Sequence, residues 1–278
     1  MQINKIHVAA KGGVSLSVNL LGPEEGPPVI LLHGFGQHGS SWKAIAQVLA
    51  SEGWRVVIPD LRGHGQSGHA EKGYDLEDFV DDLQRIIKLH DLPPVLVGAS
   101  MGGLISLFYA GNPHHLPVKK LVLVDIAPKW EDEGVKRILT FMRETSKGFD
   151  TIEDAGKAIA AYLPHRKPSQ SGTLKDYLFQ DEHGRWLWHW DPNLLDWVEN
   201  ISSELIRERA LKAAEICVTP TMLLTGENSD VVANDGIDEL MAVLEKGHHC
   251  EVTKAGHMVV GDAQDDFAKN ILNFLGSV

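Results

Sequence analysis

The stretch that most constrains this chain is Val95-Leu-Val-Gly-Ala-Ser-Met-Gly-Gly-Leu104, because it puts a serine between an apolar run and a helix start. Pro93 and Pro94 disfavour a helix before the run, and the β-branched residues after them predict a buried strand. The apolar residues from position 104 to 110 suit a covered helix. The order strand, sharp turn, helix therefore places Ser100 at the apex of the turn.

The turn itself has the pattern G-x-S-x-G, formed by Gly98, Ser100 and Gly102. In such a turn the serine sits on strained backbone, and the flanking glycines keep Cβ atoms out of a crowded place. The backbone N–H of Met101 then lies at a helix N-terminus, where unpaired donors favour a developing oxyanion. A glycine-rich turn without chemistry has the same five-residue pattern, so the rest of the chain has to decide between the two interpretations.

Composition narrows the class of protein and of partner. The chain has 278 residues, of which 43% are hydrophobic and 23% charged, as in ordinary globular proteins. Its net charge of -12 argues against nucleic acid or an anionic membrane as a partner and leaves a small-molecule substrate. The first residues show no signal-peptide pattern and no run is long enough to span a bilayer, so we expect a cytoplasmic location. The oligomeric state stays open.

Apolar runs and helical patterns alternate along most of the chain. Two runs around Lys11-Gly-Gly13 read as an antiparallel hairpin at a sheet edge. Continuous apolar strands then alternate with helical segments, which predicts an α/β fold with a mostly parallel sheet and helices on both faces. The predicted strands after the hairpin lie near residues 29–32, 55–58, 95–97, 120–125, 219–226 and 249–253.

The alternation breaks between Pro128 and Ile216. This span has amphipathic helical stretches, no buried apolar strand and five of the seven tryptophans: Trp130, Trp186, Trp188, Trp190 and Trp197. The pattern predicts a helical cap, residues 128–216, inserted into a core domain of residues 1–127 and 217–278. The alternative is a continuing core with irregular strands.

A serine alcohol becomes a good nucleophile only when a base takes its proton and a carboxylate orients that base. His257 follows the last predicted strand, where a loop can return over the carboxyl edge of the sheet. Two acids could reach the same crevice, because Asp125 ends one strand and Asp230 follows the next. We favour Asp230, since it gives the chain order Ser, Asp, His that is expected behind a G-x-S-x-G turn.

A tetrahedral intermediate needs a second oxyanion donor besides the Met101 amide. His33-Gly-Phe-Gly36 ends a strand and offers the backbone N–H of Phe35, while His33 suits an orienting hydrogen bond better than a base. The later segment Asp60-Leu-Arg-Gly-His-Gly-Gln-Ser67 also resembles a functional loop, but a buried turn held by Asp60 and Arg62 explains it better.

These segments together resemble the α/β-hydrolase fold enzymes, and within that superfamily the serine esterase and non-haem chloroperoxidase group. The resemblance covers essentially the whole chain. It implies Ser100 as nucleophile, His257 as general base and acid, Asp230 as orienting carboxylate, and the Phe35 and Met101 amides as oxyanion donors. It implies no cofactor, and neither a zinc motif nor a nucleotide-binding motif occurs in the sequence.

The favoured function is hydrolysis of a carboxylic ester or lactone through an acyl-enzyme. Tryptophans in the cap suggest a small, largely apolar or aromatic substrate, in a pocket with the following candidate residues: His33, Asp125, Trp130, Trp186 and Trp188. A carbon-carbon bond hydrolase or a perhydrolase could use the same triad, although the former would need its substrate carboxylate bound by cap arginines: Arg137, Arg143, Arg166 or Arg185. A ligand receptor that retains the triad is the non-enzymatic alternative.

Overall fold

The computed structural model describes residues 3–162, 174, 177–262 and 264–276. Its centre is an eight-stranded sheet with the order β1-β2-β4-β3-β5-β6-β9-β10. The strands of this sheet are β1 (Asn4–Ala9), β2 (Ser15–Leu21), β3 (Pro28–Leu32), β4 (Arg55–Pro59), β5 (Val95–Ala99), β6 (Lys120–Val124), β9 (Thr221–Gly226) and β10 (Gly247–Val252). A separate two-stranded sheet pairs β7 (Leu178–Gln180) with β8 (Trp186–Trp188).

The predicted α/β class is confirmed by the strand directions. β1 and β2 form the antiparallel hairpin at one edge, and β2 pairs antiparallel with β4. All other neighbours in the large sheet are parallel. Parallel strands carry their carboxyl ends to one edge of the sheet, and the loops that bear the candidate site residues leave from that edge.

Helices cover both faces of the sheet. The helices are α1 (Lys43–Ser51), α2 (Leu76–Ile87), α3 (Met101–Ala110), α4 (Asp132–Thr145), α5 (Ile152–Tyr162), α6 (Asn193–Glu199), α7 (Ser203–Ile216), α8 (Asn234–Val243), α9 (Val259–Asp262) and α10 (Gln264–Leu275). None of the helices in the described ranges is long and apolar enough to cross a bilayer.

The core lies in two layers because side chains alternate along the buried strands. On β6, Leu121 and Leu123 join a cluster that includes α2, α3 and α7, whereas Val122 and Val124 join a cluster that includes α1 and α10. The inner parallel strands β3, β4, β5, β6 and β9 are buried on both faces, which explains why their sequences are nearly continuously apolar rather than alternating.

Residues 128–216 hold α4 to α7 and the β7–β8 hairpin. A small apolar cluster joins α5 to this hairpin through Ile152, Ala155 and Leu178. At the other end of the segment, Ala210, Ala213 and Ala214 of α7 belong to the main core. A Cβ atom added to Gly111, just after α3, would lie 2.3 Å from the carbonyl oxygen of Ala213. The division into a cap of residues 128–216 and a core of the remaining residues stays a prediction.

Candidate active site

Ser100 lies between β5 and α3 and has a backbone conformation that is rare for residues other than glycine. Its φ is +48° and its ψ is -118°, a conformation that costs about 1–3 kcal/mol and persists only where the surroundings impose it. The surroundings require glycine at both flanks. A Cβ atom on Gly98 would lie 2.3 Å from the Gly102 carbonyl oxygen, and one on Gly102 would lie 2.4 Å from that of Leu32. The sharp turn predicted from the sequence is present, with the serine at its apex.

His257 follows β10 and Lys254, and its ring Nδ1 lies 2.7 Å from Oδ2 of Asp125. Because a carboxylate only accepts hydrogen bonds, Nδ1 carries the proton and donates it. That tautomer leaves Nε2 with a free lone pair, the form that a general base requires. Ser100 and His257 line the same cavity.

The hydrogen-bonding partner of His257 in the structure is therefore Asp125 rather than the expected Asp230. Asp125 is 1% exposed and sits directly after Val124, which pairs with Ala99 at the end of the serine strand. The carboxylate of Asp230 instead forms an ion pair with Arg137 of α4, and its side chain is 38% exposed. β6 neighbours the serine strand and β9 is one strand further away, so Asp125 is the nearer of the two acids.

Three donors hold the Asp125 carboxylate. The Gly226 amide donates to Oδ1 at 2.9 Å, while the Ser229 hydroxyl at 2.6 Å and His257 at 2.7 Å donate to Oδ2. Ser229 Oγ in turn accepts from the amides of Val231 and Val232, both at 3.3 Å. The loop after β9 thus reaches the site through Ser229, one residue before the predicted acid. Sequence analysis missed this serine, because adjacent serine and aspartate residues give no signal of which one faces inward.

The candidate oxyanion donors lie on two loops that approach each other. Met101 is the first residue of α3, whose initial amides have no acceptor within the helix. In the loop after β3, the Gly36 amide donates to His64 and the Gln37 amide to Gly34, whereas the Phe35 amide has no acceptor among the described residues. The roles of Phe35 and Met101 stay predictions.

His33 and His64 hold this loop in place through hydrogen bonds to its backbone. His33 donates from Nδ1 to the Gly34 carbonyl oxygen and accepts at Nε2 from the Leu61 amide, both at 2.9 Å. His64 donates from Nδ1 to the Arg62 carbonyl oxygen at 3.0 Å and accepts at Nε2 from Gly36. Burial lowers the pKa of each imidazole to about 3, so both rings are neutral and hold fixed tautomers. The orienting hydrogen bond predicted for His33 is present, and His64 has the matching role that sequence analysis missed.

The segment Asp60 to Ser67 forms a largely buried turn, as the sequence predicts. The Asp60 carboxylate accepts from the Gly39 and Gln66 amides at 2.7 and 2.9 Å. Arg62 is 1% exposed and donates twice to Asp82 of α2, at 2.7 Å each. These groups fix the loop that carries His64, and through His64 they support the candidate oxyanion loop.

The cavity at Ser100 has a volume of about 320 Å³. Beyond Ser100 and His257 its walls come from the start of α1, the loop before it, and the residues that follow His257. Gln37 joins two of these walls, since its Oε1 faces the Gly34 amide at 3.4 Å and its Nε2 faces Met258 Sδ at 3.1 Å.

The predicted pocket residues do not line this cavity. His33 and Asp125 lie beneath it as buried hydrogen-bonding groups, and three tryptophans lie elsewhere. Trp186 and Trp188 pack against the cluster of α5 and the hairpin, and Trp130 forms a backbone bridge with Val232. Trp130 and Trp188 also pack against the main core, so these rings contribute to packing rather than to the cavity walls. Two other apolar side chains, Met142 and Trp190, lie over Gly36 of the candidate oxyanion loop.

Within the described ranges, no three or more histidine, cysteine, aspartate or glutamate side chains are placed to hold a metal ion.

Comparisons of the sequence and of the fold with known proteins agree with one another. The sequence profile of the α/β hydrolase fold matches residues 27–264. A 3-hydroxybutyrate-oligomer hydrolase of Cupriavidus necator is 29% identical over 242 residues, which is 82% of each chain. A candidate non-heme chloroperoxidase of Synechocystis is 39% identical over 104 residues, covering 37% of this chain and 38% of the relative.

Among solved structures, an alpha/beta hydrolase from Novosphingobium aromaticivorans superposes with a TM-score of 0.81 at 22% identity and covers 97% of both chains. At that identity the likeness concerns the fold. The profile match, however, spans most of the sequence and includes the serine turn, the residues after β6 and the His257 loop. This chain belongs to the α/β-hydrolase fold family.

Proposed function

We propose that this protein hydrolyses a small carboxylic ester, with Ser100, His257 and Asp125 as its catalytic triad. The observation that carries the proposal is the 2.7 Å contact between His257 Nδ1 and the buried carboxylate of Asp125, next to a cavity that His257 shares with Ser100. A hydrogen-bonded carboxylate fixes the neutral tautomer of the base and stabilises the imidazolium formed when the base takes a proton.

The acylation step follows from these positions. The Ser100 oxygen attacks the ester carbonyl carbon while His257 Nε2 takes the hydroxyl proton. The carbonyl oxygen becomes an anion, and the amides of Phe35 and Met101 are the donors that we assign to it. Collapse of the tetrahedral intermediate breaks the bond to the alcohol oxygen, which receives the proton from His257.

Deacylation repeats the same steps with water as the nucleophile. His257 takes a proton from water, the resulting hydroxide attacks the acyl carbon, and the Ser100 oxygen leaves with the returned proton. The products are an alcohol and a carboxylic acid. Ser100, His257 and one water molecule account for every bond and proton in the two steps.

Two observations bear on the substrate. A cavity of about 320 Å³ lies near the lower end of the sizes common for small-molecule sites, about 300–1,000 Å³, so we propose a small ester or lactone. The Cupriavidus necator relative is named a 3-hydroxybutyrate-oligomer hydrolase, and the units of a hydroxy acid can join through ester bonds, so its name agrees with this class.

Three of the four arginines that a carbon-carbon bond hydrolase could use lie in the described residues, and each of the three already has a carboxylate partner. Arg143 pairs with Asp196 and Glu199, and Arg185 pairs with Asp150. Arg137 pairs with Asp230, and Arg166 lies outside the described residues. The described arginines therefore favour an ester over a substrate whose carboxylate would be held by the cap.

A serine-directed fluorophosphonate tests the nucleophile. We expect the reagent to label the folded protein at Ser100, identified by peptide mass spectrometry, and not to label the Ser100→Ala variant. An ester panel of increasing acyl length should then give turnover that is greatest for short chains. Absence of labelling at Ser100, or an Ser100→Ala variant as active as the native chain, would show the proposed function to be wrong.

A further inference from the structure

The walls of the Ser100 cavity combine polar and apolar side chains. Among the described residues that line the cavity there is no aspartate or glutamate, although the chain has 38 acids and 26 bases. Lys43 is the one lysine or arginine in this described lining. The neighbouring polar side chains are neutral: Gln37, Ser40, Gln47, Tyr177 and Gln264.

Lys43 is also exposed and forms no ion pair within the described ranges. Other basic side chains near the site are engaged, as Arg137 is with Asp230 and Lys129 is with Asp235. An exposed ammonium group that has no carboxylate partner among the described residues is available to a ligand. Neutral amides and hydroxyls around it can donate further hydrogen bonds to the same ligand.

We propose that the Ser100 cavity selects esters that carry a second, negatively charged carboxylate, and that Lys43 binds this carboxylate. The inference rests on the proposed ester hydrolysis and adds a substrate class to it. It also adds a charged group to the small, largely apolar or aromatic substrate expected from the sequence, because Trp130, Trp186 and Trp188 do not line the cavity. The apolar part of such an ester fits against Ala44, Val259 and Val260, which line the same cavity.

Paired substrates measure the preference for charge. One pair carries the charge on the acyl side, 4-nitrophenyl hydrogen succinate against 4-nitrophenyl butyrate. The other carries it on the alcohol side, 4-acetoxybenzoate against 4-acetoxybenzamide. In at least one pair we expect kcat/KM to be higher for the anion, and we expect added salt to reduce the ratio because it screens exposed charges.

The variants then assign the preference to Lys43. Lys43→Met should lower the anion-to-neutral ratio by about threefold to tenfold, mainly through KM of the anion, and Lys43→Arg should keep most of it. Lys212→Met is the matched control, since it removes one exposed lysine charge from α7, far along the chain from the cavity. That variant should leave the ratio unchanged. The inference is overturned if neither pair favours the anion, or if Lys43→Met and Lys212→Met give equal ratios.

A binding measurement separates this inference from the proposed function. In the Ser100→Ala background, calorimetric titration with the preferred anion should give a dissociation constant that Lys43→Met increases by the same factor. If native protein hydrolyses neither member of any pair while this binding difference is present, the ester hydrolysis is wrong and the anion site is right. If neutral esters are hydrolysed and the binding difference is absent, the anion site is wrong.

Discussion

Asp125 is the residue on which the candidate site depends most. It is almost fully buried, adopts a φ of +48° and accepts three hydrogen bonds, one of them from His257. A non-glycine residue with positive φ is uncommon and strained, so the surrounding strands must hold it. Here β6 places it beside Ser100, and the Gly226 amide and Ser229 hydroxyl fix its carboxylate.

Replacing each aspartate with asparagine tests whether Asp125 or Asp230 orients His257. Asp125→Asn presents an amide group to His257 and favours the wrong imidazole tautomer, so kcat should fall by about 10,000-fold. Asp230→Asn breaks an exposed ion pair with Arg137 and should change kcat less than about threefold. Steady-state hydrolysis of a 4-nitrophenyl ester measures both. A large loss with Asp230→Asn and a small one with Asp125→Asn would contradict the assignment.

We expect Ser229 to be a positioning residue, because its hydroxyl holds the carboxylate of Asp125 and does not itself contact the substrate. Ser229→Ala removes a hydrogen bond to a buried charge, so we expect kcat to fall by about tenfold with KM little changed. Ser229→Thr retains the hydroxyl and should recover most of the rate.

A double-mutant cycle tests whether the effect passes through the carboxylate. In the Asp125→Asn background, Ser229→Ala should have almost no further effect on kcat. If the two losses simply multiply, Ser229 acts independently of Asp125 and the positioning role is wrong.

At the scale of elements, the site depends on close contact between the β5–α3 turn and β3. Gly102 lies in the first turn of α3, against the carbonyl oxygens of Leu32 and His33. A backbone carbonyl cannot rotate away as a side chain can. The lack of a side chain at Gly102 is therefore what lets α3 begin so close to the loop that bears Phe35.

Two helical glycines should respond to alanine with opposite signs. Gly102→Ala puts Cβ 2.4 Å from the Leu32 carbonyl oxygen and should lower the free energy of unfolding by about 1–3 kcal/mol. Gly156→Ala, within α5, meets Leu174 Cδ1 at 3.4 Å, an ordinary contact, and should raise stability by about 0.5–1 kcal/mol. Urea unfolding followed by circular dichroism measures both. Equal effects of the two substitutions would contradict the packing argument.

At the scale of the whole molecule, buried neutral histidines make stability depend on pH. The folded pKa of His33 and of His64 is about 3, whereas an unfolded histidine titrates near about 6.5. Between these values the unfolded chain binds protons that the folded chain does not. Stability is therefore fully present above about pH 6.5 and is lost as the pH falls from there toward 3.

The expected loss is about 1.4 kcal/mol for each pH unit and each of the two histidines well inside that window. Urea unfolding over a series of pH values measures the slope. Nitrogen NMR of the imidazole rings should find both rings neutral, with the proton on Nδ1, at a pH where exposed histidines are already charged. Ring signals of His33 or His64 that titrate near about 6.5 would contradict the prediction.

Local patterns in the sequence determined much of this protein. Apolar runs of strand length, separated by segments of helical periodicity, are typical of a mostly parallel sheet covered by helices. The glycines around Ser100 specify the turn, because only glycine fits there. The position of His257 after the last strand places it at the carboxyl edge of the sheet. Each of these features depends on a few neighbouring residues, and so each could be predicted.

The choice between Asp125 and Asp230, and the identity of the cavity walls, were decided only by the tertiary structure. Both acids follow strands that end at the same edge, and nothing local says which strand lies beside β5 or which side chain of the loop after β9 turns inward. The tryptophans pose the same problem, because a large apolar side chain suits the packed interior of a segment as well as the wall of a pocket. Such questions depend on contacts between residues more than 100 positions apart, such as Asp125 with Ser229 and His257, and these contacts exist only in the folded chain.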